Sequence, residues 1–249
     1  MYALARGLSA TLLLCAAGTA AARNALPAGF VYLREVAPAI AQDMRYASAD
    51  NFTGRPLPGY DAGECVLRHD AALALARVEA DLGSQGLGLK VYDCYRPTRA
   101  VAAMARWTHT PDRSTRRFYP ALDKTRLFSL GYIAAHSAHS TGTAVDLTLV
   151  RRDAKPAAAF DAHADYGPCT GAVERRAPDN SLDLGTGFDC FSPKSFTASA
   201  AITPQQRRWR DMLLAAMHRH GFHNYFREWW HFTYGPRPKR AYDFPIEAR

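Results

Sequence analysis

Residues 137–150 have the sequence SAHSTGTAVDLTLV, in which a glycine turn opens a run of β-favouring residues. Gly142 and its small neighbours permit a tight turn, and residues 144–150 predict a strand in the centre of a sheet. His139 and Asp146 flank that turn seven residues apart, so both side chains could reach one metal ion. A lone carboxylate would be costly in so apolar a run, so Asp146 is expected to bind a metal, cap a loop or pair with an arginine. The spacing alone does not distinguish these alternatives.

A second segment, residues 228–231, has the sequence EWWH. A glutamate three residues before a histidine can supply a general base and a metal ligand, the two functions that a zinc hydrolase needs. Taken by itself, the segment is also typical of an aromatic corner of the core with a surface ion pair. Together, the two segments favour a catalytic site in which His139, Asp146 and His231 bind zinc and Glu228 deprotonates water.

The rest of the chain shows helical and extended patterns without regular βαβ alternation, which favours an α+β fold. Residues 151–187 are polar, contain Pro and Gly, and predict a long excursion that Cys169 could tie down. Apolar spacing and capping residues predict helices at 66–82, 98–107 and 204–220, and strands at 87–92 and 229–234.

The composition is that of an ordinary globular protein. Of the 249 residues, 48% are hydrophobic and 22% are charged, which excludes a disordered, collagen-like or coiled-coil chain. No apolar run reaches the roughly 20 residues that span a bilayer. The basic residues behind the net charge of +8 occur as scattered pairs rather than on one element, which argues against nucleic acid as a partner.

The first 22 residues have the pattern of a secretory signal peptide. Arg6 precedes an apolar stretch at residues 8–17, and the small residues at 18–22 match an Ala-x-Ala-like cleavage site. We therefore expect residues 23–249 to form the single mature domain of an exported protein, either periplasmic or secreted.

Four cysteines beyond the signal peptide agree with export, because an even number of cysteines outside the cytosol indicates disulfides. These are Cys65, Cys94, Cys169 and Cys190, which allow three pairings. Proximity in the sequence favours Cys65–Cys94 with Cys169–Cys190 over the two crossed pairings, but sequence alone does not decide between them.

The two segments resemble the S-x-H-x-x-G-x-A-x-D and E-W-W-H motifs of the zinc D-alanyl-D-alanine dipeptidases, the VanX-like branch of the D,D-peptidase superfamily. Other stretches resemble that family in the same order along the chain: RYA, DNFTG and GY within 45–60, DCYRP at 93–97 and GTGFD at 185–189. Such an ordered set is far more specific than any single motif. The resemblance implies the family's α+β fold, the D,D-peptidase or hedgehog-like zinc fold, with a central antiparallel sheet flanked by helices.

The resemblance also implies a role for each matching residue. One zinc ion per chain would be bound by the three ligands named above, with Glu228 as general base and then as general acid. Arg96 would polarise the scissile carbonyl and stabilise the oxyanion. Four residues would contact the substrate: Asp189 and Ser137 at its amino terminus, and Tyr46 and Tyr60 in the pocket. Cys94 departs from the family, which often has glycine there.

The implied activity is hydrolysis of the free dipeptide D-Ala-D-Ala to two D-alanines. One alternative is a D,D-carboxypeptidase that trims longer peptidoglycan stems, which would need an open groove at the amine end. Another is a cell-wall-binding module that has lost catalysis, but binding alone has no use for the base Glu228. The sequence leaves the oligomeric state and the biological role open.

Overall fold

The structure is a computed structural model that describes residues 25–236 and 240–249. The predicted signal peptide at 1–22 therefore lies outside the described residues. Along the described chain the strands and α-helices follow in the order β1 (Phe30–Tyr32), α1 (Leu33–Val36), β2 (Ala41–Gln42), β3 (Val66–Arg68), α2 (His69–Gly83), β4 (Leu87–Asp93), α3 (Thr98–Thr108), β5 (Ala144–Arg151), α4 (Pro204–Arg219), β6 (Phe222–Asn224) and β7 (His231–Tyr234).

A five-stranded sheet forms the centre of the fold, with the strand order β2–β4–β5–β7–β6. β2 pairs with β4 in parallel, and the other neighbours are antiparallel. β1 and β3 form a separate antiparallel pair. The predicted α+β fold with a central sheet is confirmed, and the sheet departs from a purely antiparallel arrangement only at its β2 edge.

The main core lies between one face of this sheet and two helices. Because side chains alternate along a strand, Val145, Leu147 and Leu149 of β5 share one face, and all three are buried. Leu75 of α2 and Met217 of α4 belong to the same hydrophobic cluster. The β5 residues that alternate with Val145, Leu147 and Leu149 therefore face the other side of the sheet, which carries polar side chains.

The helix predicted at 66–82 differs from the structure at its start. α2 begins at His69, because Val66–Arg68 is extended and pairs with Phe30–Tyr32. Pairing with a strand from elsewhere in the chain outweighs the helical periodicity of these three residues. The other end agrees with the sequence, since the helix ends at Gly83.

α4 begins as its sequence predicts. The hydroxyl of Thr203 accepts a hydrogen bond from the amide of Gln206, and the side chain of Gln206 accepts one from the amide of Thr203. This reciprocal capping box, followed by Pro204, satisfies two amide groups at the start of the helix. Within the described ranges no helix is both long and apolar enough to cross a bilayer.

A second, aromatic cluster packs around α3. Its centre is Phe52, whose ring centroid lies 5.0 Å from those of both Trp107 and Phe191. Phe52, Phe191 and Met104 of α3 also line a cavity beside the central sheet. The aromatic cluster therefore forms part of the wall of that cavity.

The excursion at 151–187 is held against the sheet, as its length suggested. The amide of Leu182 donates a 2.9 Å hydrogen bond to the carbonyl of Leu149 on β5. The carboxylate of Asp179 forms an ion pair with Lys90 on β4. A disulfide also joins Cys169 of the excursion to Cys190, just beyond its end.

Candidate metal centre

Three side chains converge at one end of the sheet: His139, Asp146 and His231. Their candidate ligand atoms all lie within 4.8 Å of one another. Oδ1 of Asp146 is 2.9 Å from Nδ1 of His231 and 3.3 Å from Nε2 of His139. The two imidazole nitrogens are 3.0 Å apart. The structure thus brings together the ligand set predicted from the sequence.

The register of the sheet places two of these residues side by side. Asp146 on β5 is the direct partner of His231, the first residue of β7. Residues directly opposite each other in antiparallel strands share a face of the sheet, so both side chains point the same way. His139 approaches them from a short 3-10 turn, His139–Thr141, just before β5.

A glycine makes that turn possible. Gly142 has a φ of +79°, in the left-handed region that glycine adopts without strain. A Cβ atom at this position would lie 2.2 Å from Cε1 of Phe30. Both the backbone conformation and the close approach therefore require glycine, and the turn returns His139 to the face that carries Asp146.

The charges of these groups suit a bound cation. Burial alone would raise the pKa of Asp146, but His139 and His231 outweigh it and hold that pKa well below its ordinary value. Burial lowers the pKa of His231, which favours the neutral imidazole that binds a metal. Two imidazole nitrogens and one ionised carboxylate, open to a cavity on one side, match the three-ligand pattern of catalytic zinc sites.

The end of β4 orients His139. Nδ1 of its ring lies 2.7 Å from the carbonyl oxygen of Cys94. Because a carbonyl only accepts hydrogen bonds, Nδ1 carries the hydrogen and Nε2 keeps its lone pair for the metal position. Oδ2 of Asp93 lies 3.3 Å from the same Nδ1 atom.

Glu228 is buried beside the three ligands. Its Oε2 atom lies 4.0 Å from Nδ1 of His231. Burial, followed by the negative charges of Asp146 and Asp189, raises the pKa of Glu228 well above its ordinary value. Glu228 therefore lies in a buried, negatively charged environment, where a nearby cation would favour its ionised form.

Arg96 brings a positive charge to the same place. Its Nη2 atom is 2.8 Å from Oδ2 of Asp93 and 3.7 Å from Oδ2 of Asp146. Burial would lower the pKa of Arg96, but Tyr46 and Asp93 outweigh it and raise that pKa well above its ordinary value. The guanidinium therefore stays charged on the wall of the cavity.

Asp189 and Tyr46 form a hydrogen-bonded pair on another part of the wall. The hydroxyl of Tyr46 donates a 2.7 Å hydrogen bond to Oδ2 of Asp189. Burial, followed by the charge of Asp146, raises the pKa of Asp189 to about 8. A cation placed in the cavity would favour the ionised form. Asp189 has a φ of 54°, in the left-handed region.

The other two predicted substrate contacts differ in position. Ser137 lines the cavity, and its Oγ accepts a 3.2 Å hydrogen bond from the amide of His139. Tyr60 lies outside the cavity wall that the described residues form. Its hydroxyl instead donates a 2.6 Å hydrogen bond to Oδ1 of Asp93. Tyr60 therefore stands behind the cavity wall, where it contacts Asp93 and packs its ring against that of Tyr46, with centroids 5.7 Å apart.

The candidate metal ligands line a cavity of about 460 Å³, together with Glu228 and Arg96. The sequence did not indicate the apolar walls of this cavity, which include Phe52, Met104, Tyr132, Ile133 and Phe191. It also indicated no role for Asp93, which is fully buried. The available signal was the one that identified Asp146, a carboxylate within an otherwise buried strand.

Two disulfides lie next to the site. They join Cys65 to Cys94 and Cys169 to Cys190, with Cα–Cα distances of 5.3 and 5.5 Å. This is the pairing that proximity in the sequence favours. Cys94 precedes Arg96 by two residues, and Cys190 directly follows Asp189.

The amino-acid sequence is similar to those of D-alanyl-D-alanine dipeptidases. The family model described as D-Ala-D-Ala dipeptidase matches residues 27–166 and 170–247. A D-alanyl-D-alanine dipeptidase from Enterococcus faecium is 33% identical over 223 residues, covering 88% of this chain and 98% of its own. One from Streptomyces coelicolor is 34% identical, covering 87% and 98%. One from Escherichia coli K12 is 33% identical, covering 81% and 82%. The structure of the vancomycin-resistance D,D-dipeptidase VanXYg, with a D-Ala-D-Ala phosphinate analogue, aligns over 84% of this chain and 67% of its own with 17% identity and a TM-score of 0.33.

Proposed function

Because the chain belongs to the D-Ala-D-Ala dipeptidase family, we propose that it is a metallopeptidase that hydrolyses the free dipeptide D-Ala-D-Ala to two D-alanines. One observation carries this proposal: the ligand atoms of His139, Asp146 and His231 lie within 4.8 Å of one another. Glu228 and Arg96 line the same cavity, so a base and a cation flank the metal position.

We propose zinc as the metal, because two imidazoles and one carboxylate with an open position are typical of catalytic zinc sites. His139 would bind it through Nε2, His231 through Nδ1, and Asp146 through its carboxylate. When bound, zinc supplies a Lewis acid that polarises a carbonyl group and makes water more acidic. The Cys94 carbonyl supports this assignment, because it holds His139 in the required tautomer.

Glu228 would move the proton. The carboxylate takes a proton from the attacking water as the water oxygen bonds to the carbonyl carbon. The same proton then passes to the nitrogen of the departing D-alanine as the C–N bond breaks. The position of Glu228 supports this role, because this residue lines the same cavity and its Oε2 atom lies 4.0 Å from Nδ1 of His231.

Arg96 would stabilise the negative charge that develops on the carbonyl oxygen. A fixed, permanently charged guanidinium in a buried cavity stabilises such a charge more strongly than water does. Asp93 holds Nε and Nη2 of this guanidinium, which supports a fixed orientation. No reorganisation of Arg96 is then needed during the reaction.

Asp189 would bind the ammonium group of the dipeptide. Its carboxylate is buried, borders the cavity and already accepts a hydrogen bond from Tyr46. An ammonium group would form a direct ion pair with this buried carboxylate. Ser137, on the same cavity, is proposed to contact the same amino terminus.

The test is a comparison of two substrates. Rapid release of D-alanine from D-Ala-D-Ala, poor release from N-acetyl-D-Ala-D-Ala, and loss of activity with a chelator are expected together. Efficient cleavage of the acetylated compound or of a pentapeptide stem would indicate a D,D-carboxypeptidase instead. Zinc binding without hydrolysis of any of these compounds would indicate a binding module.

We also propose that the protein is exported and acts in the periplasm or outside the cell. The composition of residues 1–22 supports this proposal, as do two disulfides next to the site, since disulfides persist in oxidising compartments. Cell fractionation of the full chain, with amino-terminal sequencing of the mature protein, tests it. Retention of residue 1 in a cytosolic fraction would contradict it.

A further inference from the structure

A bulge in β4 changes which of its residues face the candidate metal centre. Val91 pairs with Leu147 on β5, yet Asp93 pairs with Asp146, so Tyr92 is the extra residue between these two pairs. Without the bulge, Tyr92 would oppose Asp146 and Asp93 would face the other side of the sheet. The irregularity therefore turns Asp93 toward the metal position.

The bulge completes a row of three side chains across the sheet. Asp93 on β4 is opposite Asp146 on β5, and Asp146 is opposite His231 on β7. Two carboxylates directly opposite each other repel and destabilise a sheet. Arg96 offsets this repulsion, because its Nη2 atom lies 2.8 Å from Asp93 and 3.7 Å from Asp146.

The two oxygens of Asp93 have different partners. Oδ1 accepts a 2.6 Å hydrogen bond from the hydroxyl of Tyr60. Oδ2 accepts hydrogen bonds from Arg96, with Nε at 2.9 Å, and lies 3.3 Å from Nδ1 of His139. Its side chain is completely inaccessible to solvent, so it cannot touch a substrate. Asp93 instead contacts two residues that are proposed to act on the substrate or the metal.

We propose that Asp93 is the positioning residue of this site, which orients the oxyanion-stabilising Arg96 and the metal ligand His139 from a single carboxylate oxygen. This inference rests on the proposed function, because it takes from it the roles of both partners. Tyr60 fixes the carboxylate from behind, which gives this residue an indirect role in place of the predicted substrate contact.

The physical consequence is a coupling between metal binding and charge stabilisation. A carboxylate beside the Nδ1 hydrogen of a ligating histidine makes the opposite nitrogen a better donor to a metal. The same carboxylate holds Nε and Nη2 of the guanidinium, which fixes the orientation of its charge. Removal of one negative charge at Asp93 should therefore disturb both partners at once.

The test uses Asp93→Asn, which preserves side-chain volume and removes the charge. We expect zinc affinity, measured by competition with a chromogenic chelator, to fall at least about tenfold, and kcat/KM for D-Ala-D-Ala to fall about 10- to 100-fold. The visible absorption spectrum of the cobalt-substituted protein should also change, because it reports the geometry of His139 and its neighbours.

Glu79→Gln is a matched control. Glu79 is a second buried carboxylate, which accepts a 2.7 Å hydrogen bond from the amide of Leu89 and pairs with Arg152 at 2.9 Å. It lies outside the cavity of the metal centre. This variant should lose stability but keep the zinc affinity, the cobalt spectrum and kcat/KM of the unmodified protein. Equal losses in both variants would show that Asp93 is merely structural.

A third variant, Tyr60→Phe, keeps the inference testable if Asp93→Asn does not fold. It removes the hydroxyl that donates to Oδ1 of Asp93 and keeps the carboxylate, so we expect a smaller change in the same direction, about threefold to tenfold in kcat/KM. A folded Asp93→Asn protein with unchanged zinc affinity, spectrum and kcat/KM overturns the proposal, as does an unchanged Tyr60→Phe protein when Asp93→Asn is lost. If the unmodified protein fails to cleave D-Ala-D-Ala, the proposed function fails, while zinc affinity and the cobalt spectrum still decide whether Asp93 positions His139.

Discussion

The carbonyl oxygen of Cys94 accepts a 2.7 Å hydrogen bond from Nδ1 of His139, so a half-cystine orients a candidate metal ligand. The Cys65–Cys94 disulfide fixes the backbone that presents this carbonyl. The second disulfide joins Cys169 to Cys190, next to Asp189, and no hydrogen bond links it to a candidate metal ligand among the described residues. The two bridges should therefore have different effects on metal binding.

We expect removal of Cys65–Cys94 to weaken both the fold and the metal site. The paired substitutions Cys65→Ala and Cys94→Ala should lower the free energy of unfolding by about 3–4 kcal/mol, the range of the chain-entropy model. They should also weaken zinc binding about tenfold, because His139 loses a fixed acceptor. Urea unfolding and competitive zinc titration measure the two effects. The control pair, Cys169→Ala and Cys190→Ala, should lose similar stability but keep zinc, and equal zinc affinities in the two proteins would contradict the prediction.

Substitution of Glu228 should separate catalysis from metal binding. Glu228→Ala should lower kcat for D-Ala-D-Ala at least about 100-fold, because general acid–base catalysis contributes about 10²–10⁴-fold. One zinc ion per chain should remain, since the three ligands are unchanged. Metal analysis and steady-state kinetics on the same preparation check this. Loss of zinc together with activity would identify Glu228 as a ligand.

Asp189 should govern affinity for the free amino group. Asp189→Asn retains the hydrogen bond to Tyr46 and tolerates the left-handed backbone, but it removes the negative charge. We expect KM for D-Ala-D-Ala to rise at least about tenfold, because a buried charge pair loses one partner. The discrimination against N-acetyl-D-Ala-D-Ala should shrink at the same time. An unchanged ratio of kcat/KM for the two substrates would place the ammonium group elsewhere.

The stability of the protein in acid should depend on Asp179. Burial alone would raise the pKa of this carboxyl, but Lys90 and Arg45 outweigh it and hold the pKa below its ordinary value. A carboxyl group with a lowered pKa in the folded state stabilises the protein above its unfolded pKa of about 3.9. That stabilisation is lost as the pH falls through the folded-state pKa.

Asp179→Asn should therefore cost about 3 kcal/mol at pH 7 and flatten the decline in stability below about pH 4. Urea unfolding at a series of pH values measures both effects. The exposed Glu174 in the same excursion offers a control, since Glu174→Gln should leave the curve unchanged. A parallel acid decline in the unmodified and Asp179→Asn proteins would contradict the assignment.

The sequence predicted the parts of the site that depend on local structure. His139 and Asp146 are linked through Gly142 within eight residues, so turn and strand propensities were sufficient to place them near each other. The start of α4 at Thr203 was predictable for the same reason, because a capping box involves residues only three apart.

The sequence did not predict features that depend on pairing between distant segments. The position of Asp93 follows from the bulge at Tyr92, which is visible only when β4 is aligned with β5. Residues 66–68 have helical spacing, yet they pair with a strand more than 30 residues earlier in the chain. Tyr60 matched a family motif, but its distance from the cavity depends on how the loop packs behind Asp93.

The left-handed backbone of Asp189 restricts which mutations this position can accept. Asparagine and glycine adopt such a φ with little strain, but both lack the carboxylate proposed to bind the ammonium group. Glutamate keeps the charge, but its backbone is strained at this φ and its longer chain misplaces the carboxylate. A library that randomises position 189 and selects for growth on D-Ala-D-Ala should therefore return aspartate almost alone, because no single substitution meets both requirements.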